Sequence, residues 1–378
     1  MIIEQQYWTV GEGWQNETAM SLAGNASLVL VFGASHIMAN EAAVDEIRAR
    51  YPGATMIGCS TAGEICGIRV RDDSLVVTAV RFEHTKLNLV REVVDEGVSS
   101  LAAGERLAQA LPKQQLVHVL VLSDGLMVNG SELARGLREN LPAGVAVTGG
   151  LAGDGADFQQ TLVYANQSAC EGVIAAVGFY GDNLKVGYGS LGGWDTFGAE
   201  RLITRSKGNI LYELDGRPAL ELYRTYLGER NTDPADALMF PLALRTGDEG
   251  YGLVRTVLAV GEDEQSMTFA GDMPEGVYAR LMKANFDRLI VGAEGAARAS
   301  DEMLDSVKPE LALLISCVGR KLVLKQRIEE EVEGVQEVLG KDTVLTGFYS
   351  YGEICPHSAA TKCELHNQTM TITTFSER

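Results

Sequence analysis

The pattern of apolar and polar positions predicts a strand, a helix and a second strand near the N-terminus. An unbroken apolar run over residues 27–32 is typical of a buried strand. Residues 41–51 then carry apolar side chains at helical spacing, and Pro52-Gly53 ends that pattern. Because an apolar segment over 54–57 follows, we predict a parallel pair of strands joined by a right-handed crossover.

The same order of strand, helix, strand and glycine-rich polar loop is predicted twice more along the chain. The predicted elements of these two units lie at 116–122, 131–140 and 145–147, and at 311–316, 322–339 and 343–346. An imperfect capping box that begins at Ser131 marks the start of the helix in the second unit. The recurrence of this order of elements along the chain indicates duplication of a structural unit.

The segments between these units predict antiparallel β-structure. Strands broken by Gly or Asp-Gly turns are predicted at 172–180, 184–190, 237–244 and 253–260. The polar segment 228–236 is the best candidate for a linker or surface loop. We therefore predict an α/β protein with mixed β-sheets flanked by helices. It is expected to be internally duplicated and to form two related domains, 1–216 and 217–378.

One short phrase occurs twice, as GCSTAGEIC at 58–66 and as GFYSYGEIC at 347–355. The shared glycines predict a tight backbone turn, and the shared Glu and Ser or Thr place polar groups at that turn. We expect the two turns to meet around one ligand. The candidate binding residues are Ser60, Thr61, Gly63, Glu64, Tyr349, Ser350, Gly352 and Glu353.

Two uses compete for the repeated carboxylates of Glu64 and Glu353. Each could bind an ammonium or guanidinium group, or could accept hydrogen bonds from backbone N–H groups at its turn. The preserved spacing slightly favours the second use. Further candidates follow predicted parallel strands, at the edge where ligands of open α/β sheets gather. These candidates are Ser123, Asp124, Gly149 and Gly150.

The composition limits the classes of function. The 378 residues carry a formal net charge of -19, which argues against binding to nucleic acid or to anionic membranes. No apolar stretch is long enough for a spanning helix, and no basic signal region opens the chain, so we expect a cytoplasmic protein. The six cysteines are then expected to be reduced thiols. No nucleotide-binding or serine-elbow motif occurs in a fitting context, so we expect no enzyme.

Eight phrases carry a resemblance to a known family. They are GCSTAGEI, SDGLMVNG, TGGLAGDG, GYGSLGGW, ELDGRPAL, ALLISCVGRKLVLKQR, GFYSYGEI and CELHNQTMTITT. Together they resemble the FIST proteins, which are bacterial sensory modules with an N-terminal and a C-terminal FIST domain. As a free-standing chain the protein is similar to the nitric-oxide-sensing NosP group. Members of that group bind haem b and regulate a separately encoded histidine kinase or cyclic-di-GMP enzyme.

The resemblance implies haem b as a cofactor, and a haem iron needs an axial ligand. Of the five histidines, His366 is the first candidate because it lies in the family-like phrase CELHNQTMTITT. Arg320 and Lys321 sit at a helix start, where their charges suggest an anionic partner such as a haem propionate, or the acidic run 329–331. The local ion pair with that acidic run is the favoured alternative.

A weaker alternative is a metal ion held by the cluster of Cys355, His357, Cys363 and His366. Two buried thiols and two surface imidazoles are the structural alternative, and ordinary residue frequencies prefer it.

The leading hypothesis is a cytosolic sensor that binds haem, detects nitric oxide and regulates a histidine kinase or cyclic-di-GMP enzyme. The alternative is a signalling module without haem that binds a small, amino-acid-like molecule. An enzyme of unknown type is least favoured, and a homodimer is compatible with each hypothesis.

Overall fold

The computed structural model describes residues 1–95, 98–228, 237–245, 251–356 and 362–378. The first strands are β1 (Ile2–Thr9), β2 (Gly13–Asn16), β3 (Leu28–Gly33), β4 (Thr55–Ser60), β5 (Glu64–Cys66), β6 (Arg69–Arg71), β7 (Ser74–Arg81), β8 (Lys86–Val93), β9 (Leu116–Ser123), β10 (Ala146–Leu151), β11 (Val163–Ala165), β12 (Val173–Tyr180) and β13 (Leu184–Leu191). The later strands are β14 (Asp195–Thr196), β15 (Arg201–Lys207), β16 (Ile210–Leu214), β17 (Arg217–Pro218), β18 (Leu242–Arg245), β19 (Tyr251–Arg255), β20 (Val257–Gly261), β21 (Ser266–Phe269), β22 (Tyr278–Lys283), β23 (Leu311–Cys317), β24 (Val344–Ser350), β25 (Gly352–Pro356), β26 (Cys363–His366) and β27 (Met370–Glu377). The helices are α1 (Ser35–Met38), α2 (Glu41–Arg50), α3 (Ser100–Ala110), α4 (Gly130–Asn140), α5 (Ala219–Leu227), α6 (Phe286–Glu302), α7 (Val318–Leu324) and α8 (Ile328–Leu339).

Three six-stranded sheets share one arrangement of strands. Their strand orders are β11-β4-β3-β7-β1-β2, β26-β25-β10-β9-β12-β8 and β13-β27-β23-β24-β5-β6. Each sheet has a central parallel pair, namely β3 with β4, β9 with β10, or β23 with β24, and helical segments connect the two strands of each pair. The predicted α/β class with mixed sheets and helices is confirmed, and so is the recurrence of the strand–helix–strand unit.

The three units exchange strands in a cycle. After its glycine-rich loop, the first unit sends β5 to pair with β24 of the third unit. The third unit sends β25 to pair with β10 of the second, and the second sends β11 to pair with β4 of the first. The loops therefore lie where the chain crosses from one sheet to the next, which brings all three loops together.

One apolar core lies between the three sheets. Alternate residues of β3, β9 and β23 belong to it, because successive side chains of a strand point to opposite faces. Among them are Leu30, Phe32, Leu120, Leu122, Leu313 and Ile315. The other face of β9 packs with Leu107 of α3 and with Leu133 and Leu137 of α4. Burial on both faces explains why these strands are continuous apolar runs in the sequence.

Each parallel pair depends on a glycine of its second strand. A Cβ at Gly58, Gly149 and Gly347 would lie 1.9, 1.8 and 1.8 Å, respectively, from the carbonyl oxygen of the facing residue in the first strand. No side chain fits at such a separation, so the glycine permits the close approach. The same residue at the same register in all three sheets supports a common origin of the units.

A fourth sheet is inserted into the third unit, between β13 and α6. Its strand order is β19-β18-β22-β15-β16-β21-β20, with β14 beside β22 and β17 beside β16. Its own core contains Ile203, Leu211, Tyr223 and Phe269. Two hydrogen bonds tie this insertion to the third unit's C-terminal segment. Trp194 donates to the Gln368 carbonyl in the turn after β26, and Arg255 donates to the Leu365 carbonyl within β26.

Several predicted boundaries were wrong. The helix predicted at 322–339 is two helices, α7 and α8, separated by a 3₁₀ turn at Lys325–Arg327, where Lys325 has a φ of +50°. The helix predicted to begin at Ser131 begins one residue earlier, because the Asn129 side chain accepts hydrogen bonds from the N–H groups of Ser131 and Glu132.

The insertion also differs from its predicted strands. The strand predicted over 237–244 begins only at Leu242, and the strand predicted over 253–260 is broken at Thr256 into β19 and β20. The predicted linker 228–236 lies, except for Gly228, outside the described residues. In the described part of the chain, every helix is too short or too polar to cross a lipid bilayer.

Candidate ligand-binding site

Three glycine-rich loops meet through their backbones. We call them loop 1 (residues 60–63), loop 2 (residues 151–155) and loop 3 (residues 349–352). Loops 1 and 3 exchange two hydrogen bonds of 2.8 Å, from Ala62 N to the Tyr349 carbonyl and from Tyr349 N to the Gly63 carbonyl. Loop 2 donates from Gly153 N to the Ser60 carbonyl at 3.0 Å. The two repeated turns therefore do meet, and a third loop joins them.

Glu64 and Glu353 occupy equivalent positions and have equivalent partners. One carboxylate oxygen of Glu64 accepts from the Thr61 hydroxyl, and the other accepts from Ser74 N at 3.3 Å and Ser74 Oγ at 2.5 Å. Glu353 accepts from Ser350 Oγ at 2.7 Å, and from the backbone and hydroxyl of Thr369 at 3.2 and 2.9 Å. Each carboxylate thus links its loop to the start of the returning strand.

Both carboxyl groups are almost fully buried, at 1% exposure for Glu64 and 0% for Glu353. Burial raises the pKa of Glu64 to about 7 and that of Glu353 to about 8, against the lowering effect of the hydroxyl donors. Because the chain itself supplies partners to both oxygens of each group, the geometry favours the capping use over ligand contact.

Two aspartates of the second unit also accept hydrogen bonds from the protein at its loops. Asp124 accepts from the N–H groups of Leu126, Met127 and Gly172 at 2.7 to 2.9 Å. Asp154 accepts from the backbone of residues 158–160 and from the Tyr351 hydroxyl. Asp154 therefore fixes loop 2 to loop 3.

The remaining candidates from the loops have structural surroundings. Ser60 Oγ accepts from Leu162 N at 2.8 Å, and the Tyr349 hydroxyl donates to Glu331 at 2.7 Å. Gly63 adjoins the ammonium of Lys321, and Gly150 packs against Ile315. A Cβ at Gly352 would lie 2.7 Å from the Leu151 side chain.

A cavity of about 280 Å³ opens where the carboxyl ends of β9 and β23 face the inserted sheet. This is the edge at which ligands of α/β sheets bind. Its described lining consists of Gly125, Leu126, Met127, Val128, Asn129, Gly130, Leu151, Phe158, Asn209, Leu238, Thr256, Leu258, Phe269, Ala270, Gly271, Cys317, Val318 and Tyr351.

None of the predicted binding residues appears in the described lining, although some of them adjoin lining residues in the sequence. Ser123 and Asp124 immediately precede the lining residue Gly125, and Tyr351 stands between Ser350 and Gly352. Sequence reasoning missed Tyr351 and Phe158, whose rings stack with centroids 4.6 Å apart. An available signal was the apolar stretch 126–128 inside the polar phrase SDGLMVNG.

The residues proposed to hold haem are engaged with the protein. His366 is 2% exposed, and its Nε2 lies 2.9 Å from the Cys355 carbonyl, so Nε2 carries a proton that it donates. Arg320 is fully buried and donates to Glu331 at 2.7 and 3.1 Å, which is the local ion pair expected from the acidic run. Lys321 donates to the Ala62 carbonyl at 2.7 Å and forms an ion pair with Asp72.

The alternative metal cluster has neutral thiols. Burial raises the pKa of both Cys355 and Cys363, so neither side chain is a thiolate at neutral pH. His357 lies outside the described residues, and His366 is buried instead of lying at the surface. Within the described ranges, no three His, Cys, Asp or Glu side chains are arranged to hold a metal ion.

Comparison with known proteins assigns most of the chain to one family. Residues 27–217 match the FIST N domain and residues 219–356 match the FIST C domain. A similar protein is "Uncharacterized protein MJ1623" of Methanocaldococcus jannaschii, which is 22% identical over 353 residues, or 82% of this chain. This chain spans 66% of the length of that relative. The chain belongs to the FIST family of signal-transduction sensor modules, with a FIST N domain followed by a FIST C domain.

Proposed function

We propose that this FIST protein is a sensor whose input is a small molecule bound in the cavity between β9, β23 and the inserted sheet. The observation that carries the proposal is the cavity itself, whose volume of about 280 Å³ approaches the range of small-molecule sites. It combines an apolar wall with a few polar groups, and it lies at the sheet edge where α/β proteins bind ligands.

The distribution of exposed apolar side chains supports the same site. Leu126, Met127, Phe158 and Leu258 are between 38% and 51% exposed, and all four belong to the cavity lining. Clustered exposed apolar residues are typical of binding sites on soluble proteins. A ligand that covers them would gain hydrophobic free energy on binding.

The lining also supports a route from ligand to output. Leu151 belongs to loop 2 and Tyr351 to loop 3, and both line the cavity. Tyr351 is hydrogen-bonded to Asp154 and stacked on Phe158, which has a left-handed φ of +52°. That backbone region is unfavourable for a bulky residue, so the surrounding contacts hold Phe158 in place. A ligand against this pair would change the contact between the loops.

A thermal-shift screen of metabolites tests the proposal. A ligand at a hundred times its Kd should stabilise the protein by about 2.7 kcal/mol. Ala270→Leu adds bulk at the lining and should abolish the shift. Ala42→Leu, which adds the same bulk to an exposed position on α2, should leave the shift intact. If the ligand raises the unfolding temperature of both variants equally, it binds outside the cavity and the proposal is refuted.

A second candidate is haem-dependent detection of nitric oxide with regulation of a histidine kinase or cyclic-di-GMP enzyme. The feature in its favour is His366, a buried imidazole whose Nε2–H is held by a carbonyl, as in histidines oriented for metal binding. Against it, the described lining of the cavity contains no histidine. Haem supplies a diatomic-gas site in proteins that bind it.

Haem reconstitution distinguishes this candidate. The protein should retain a Soret band after desalting, and nitric oxide should shift that band. His366→Ala should lose the band, whereas the same change at the exposed His84 should not. Loss of the band from the unmodified protein on desalting would reject this candidate. Autophosphorylation of a co-purified histidine kinase, with and without nitric oxide, would measure the regulatory step.

A further inference from the structure

We infer that the ligand of this cavity is an uncharged, mainly apolar molecule with one hydrogen-bonding group such as a hydroxyl. The inference rests on the proposed function, because it names the ligand class of the same site. Such a ligand differs from amino acids, which are zwitterions, and from haem, whose propionates are anionic.

The described lining carries no charged side chain. None of its described residues is Asp, Glu, Lys, Arg or His, and more than half are apolar. Its two ionisable side chains, Cys317 and Tyr351, are neutral at physiological pH, because burial raises the pKa of each. A charged ligand would lose its hydration here without gaining a charged partner, and burying an unpaired charge is costly.

The charged groups behind the lining already have hydrogen-bond partners in the protein. Asp124 and Asp154 each accept hydrogen bonds from backbone N–H groups two to five residues later in the chain. Arg255 lies behind Gly271, where a Cβ would be 2.8 Å from Arg255 Nε. Its guanidinium donates to the carbonyls of Asp272, Leu365 and Val254, at 3.2, 2.9 and 3.3 Å. These contacts direct the charged groups of Asp124, Asp154 and Arg255 towards the protein and away from a ligand in the cavity.

The two amide side chains of the described lining are held by the protein. Asn129 caps α4 through its oxygen and donates its amide to Asp272 at 3.2 Å. Asn209 donates to the Phe269 carbonyl at 2.8 Å, which fixes its amide group. The buried hydroxyl of Thr256, by contrast, has no hydrogen-bond partner among the described residues. A single hydroxyl on the ligand would suit the Thr256 hydroxyl, because each of the two groups can both donate and accept a hydrogen bond.

The test uses two matched sets of probes. The first is 4-methylpentan-1-ol, 4-methylpentanoate and L-leucine, and the second is 3-phenylpropan-1-ol, 3-phenylpropanoate and L-phenylalanine. Each set keeps one carbon skeleton and compares a neutral alcohol with an anion and with a zwitterion. Calorimetric titration of the full-length protein should give the alcohol of a set at least tenfold tighter binding than its carboxylate or amino acid. Tighter binding by a carboxylate or an amino acid would overturn this inference and leave the proposed function standing.

A charge placed in the lining provides the matched control. Leu258→Lys should weaken binding of the alcohol and strengthen binding of the carboxylate, which reverses their order. Leu191→Lys changes a leucine of similar exposure, 38% against 41%, outside the lining, and should leave the order unchanged. If the alcohol still binds more tightly than the carboxylate in Leu258→Lys, the cavity is not the site that distinguishes the two ligands, and the inference is wrong. If neither set binds and the metabolite screen is also empty, the proposed function itself fails.

Discussion

Replacing Glu64 by Gln should make the protein less sensitive to pH between 5 and 8. Thr61 donates to one carboxylate oxygen and Ser74 donates twice to the other. A glutamine fits this arrangement, because its oxygen can face Ser74 while its NH₂ donates to the Thr61 hydroxyl. The variant therefore mimics the protonated carboxyl group without changing its shape.

The magnitude follows from the displaced pKa. Burial raises the pKa of Glu64 from 4.5 to about 7, so the folded protein holds this proton more tightly than the unfolded chain. The protonated group contributes stability that is fully present below pH 4.5 and is lost as the pH rises through about 7. At 1.36 kcal/mol for each pKa unit, the loss is about 3 kcal/mol.

Urea unfolding at half-unit intervals from pH 4.5 to 9 measures this effect. Glu353 has its own raised pKa of about 8 and contributes a separate loss of stability with rising pH. The quantity to compare is therefore the free energy of unfolding of the wild type minus that of the variant at each pH. As the pH rises, that difference should fall by about 3 kcal/mol, because the wild type loses stability that Glu64→Gln keeps. Glu83→Gln, at an exposed position, should give a flat difference. A flat difference for Glu64→Gln as well would refute the reasoning.

Three further changes test the packing around the loops, each by urea unfolding at pH 7. Arg320→Met leaves Glu331 buried without its cation and should cost about 3–5 kcal/mol, and a cost below about 1 kcal/mol would contradict the buried ion pair. Gly58→Ala puts a Cβ 1.9 Å from a carbonyl oxygen and should cost more than about 2 kcal/mol, whereas Gly11→Ala, with open space around it, should be nearly neutral. Tyr351→Phe removes a hydroxyl bonded to Asp154 and should cost about 1–3 kcal/mol, and equal stability would show that this contact is unimportant.

The sequence predicted the units well because their signals are local. The apolar run at 27–32 became β3, the run at 116–122 became β9, and the glycine-rich phrases became the loops that meet. Periodicity and turn residues depend on near neighbours in the chain, and a single sequence records them.

The pairing of strands between units could not be predicted in the same way. β5 follows β4 directly, yet it pairs with β24, whose residues lie almost three hundred positions later. Its three residues, Glu64–Cys66, carry no pattern that specifies a partner. For Glu64 and Glu353 the sequence left ligand contact and capping both open, with capping slightly favoured, and the contacts of both carboxylates within the protein are capping contacts.

The cavity was missed for a related reason. Its walls come from the loop after β9, from the end of β23 and from the inserted sheet, which the sequence suggested only as scattered strands. The neutral residues of that lining, such as Leu258 and Ala270, have no distinctive chemistry in the sequence. Only their arrangement in space distinguishes them from ordinary surface residues.

The cyclic exchange of strands makes the two FIST domains interdependent as folding units. A fragment covering only the FIST N domain would leave β5 and β6 without their neighbour β24, and would expose the edge of β10 that β25 covers. Unpaired sheet edges promote aggregation. The two domains are therefore separable in an alignment but not by a single cut between them, and co-expressed halves would have to reassemble before either became stable.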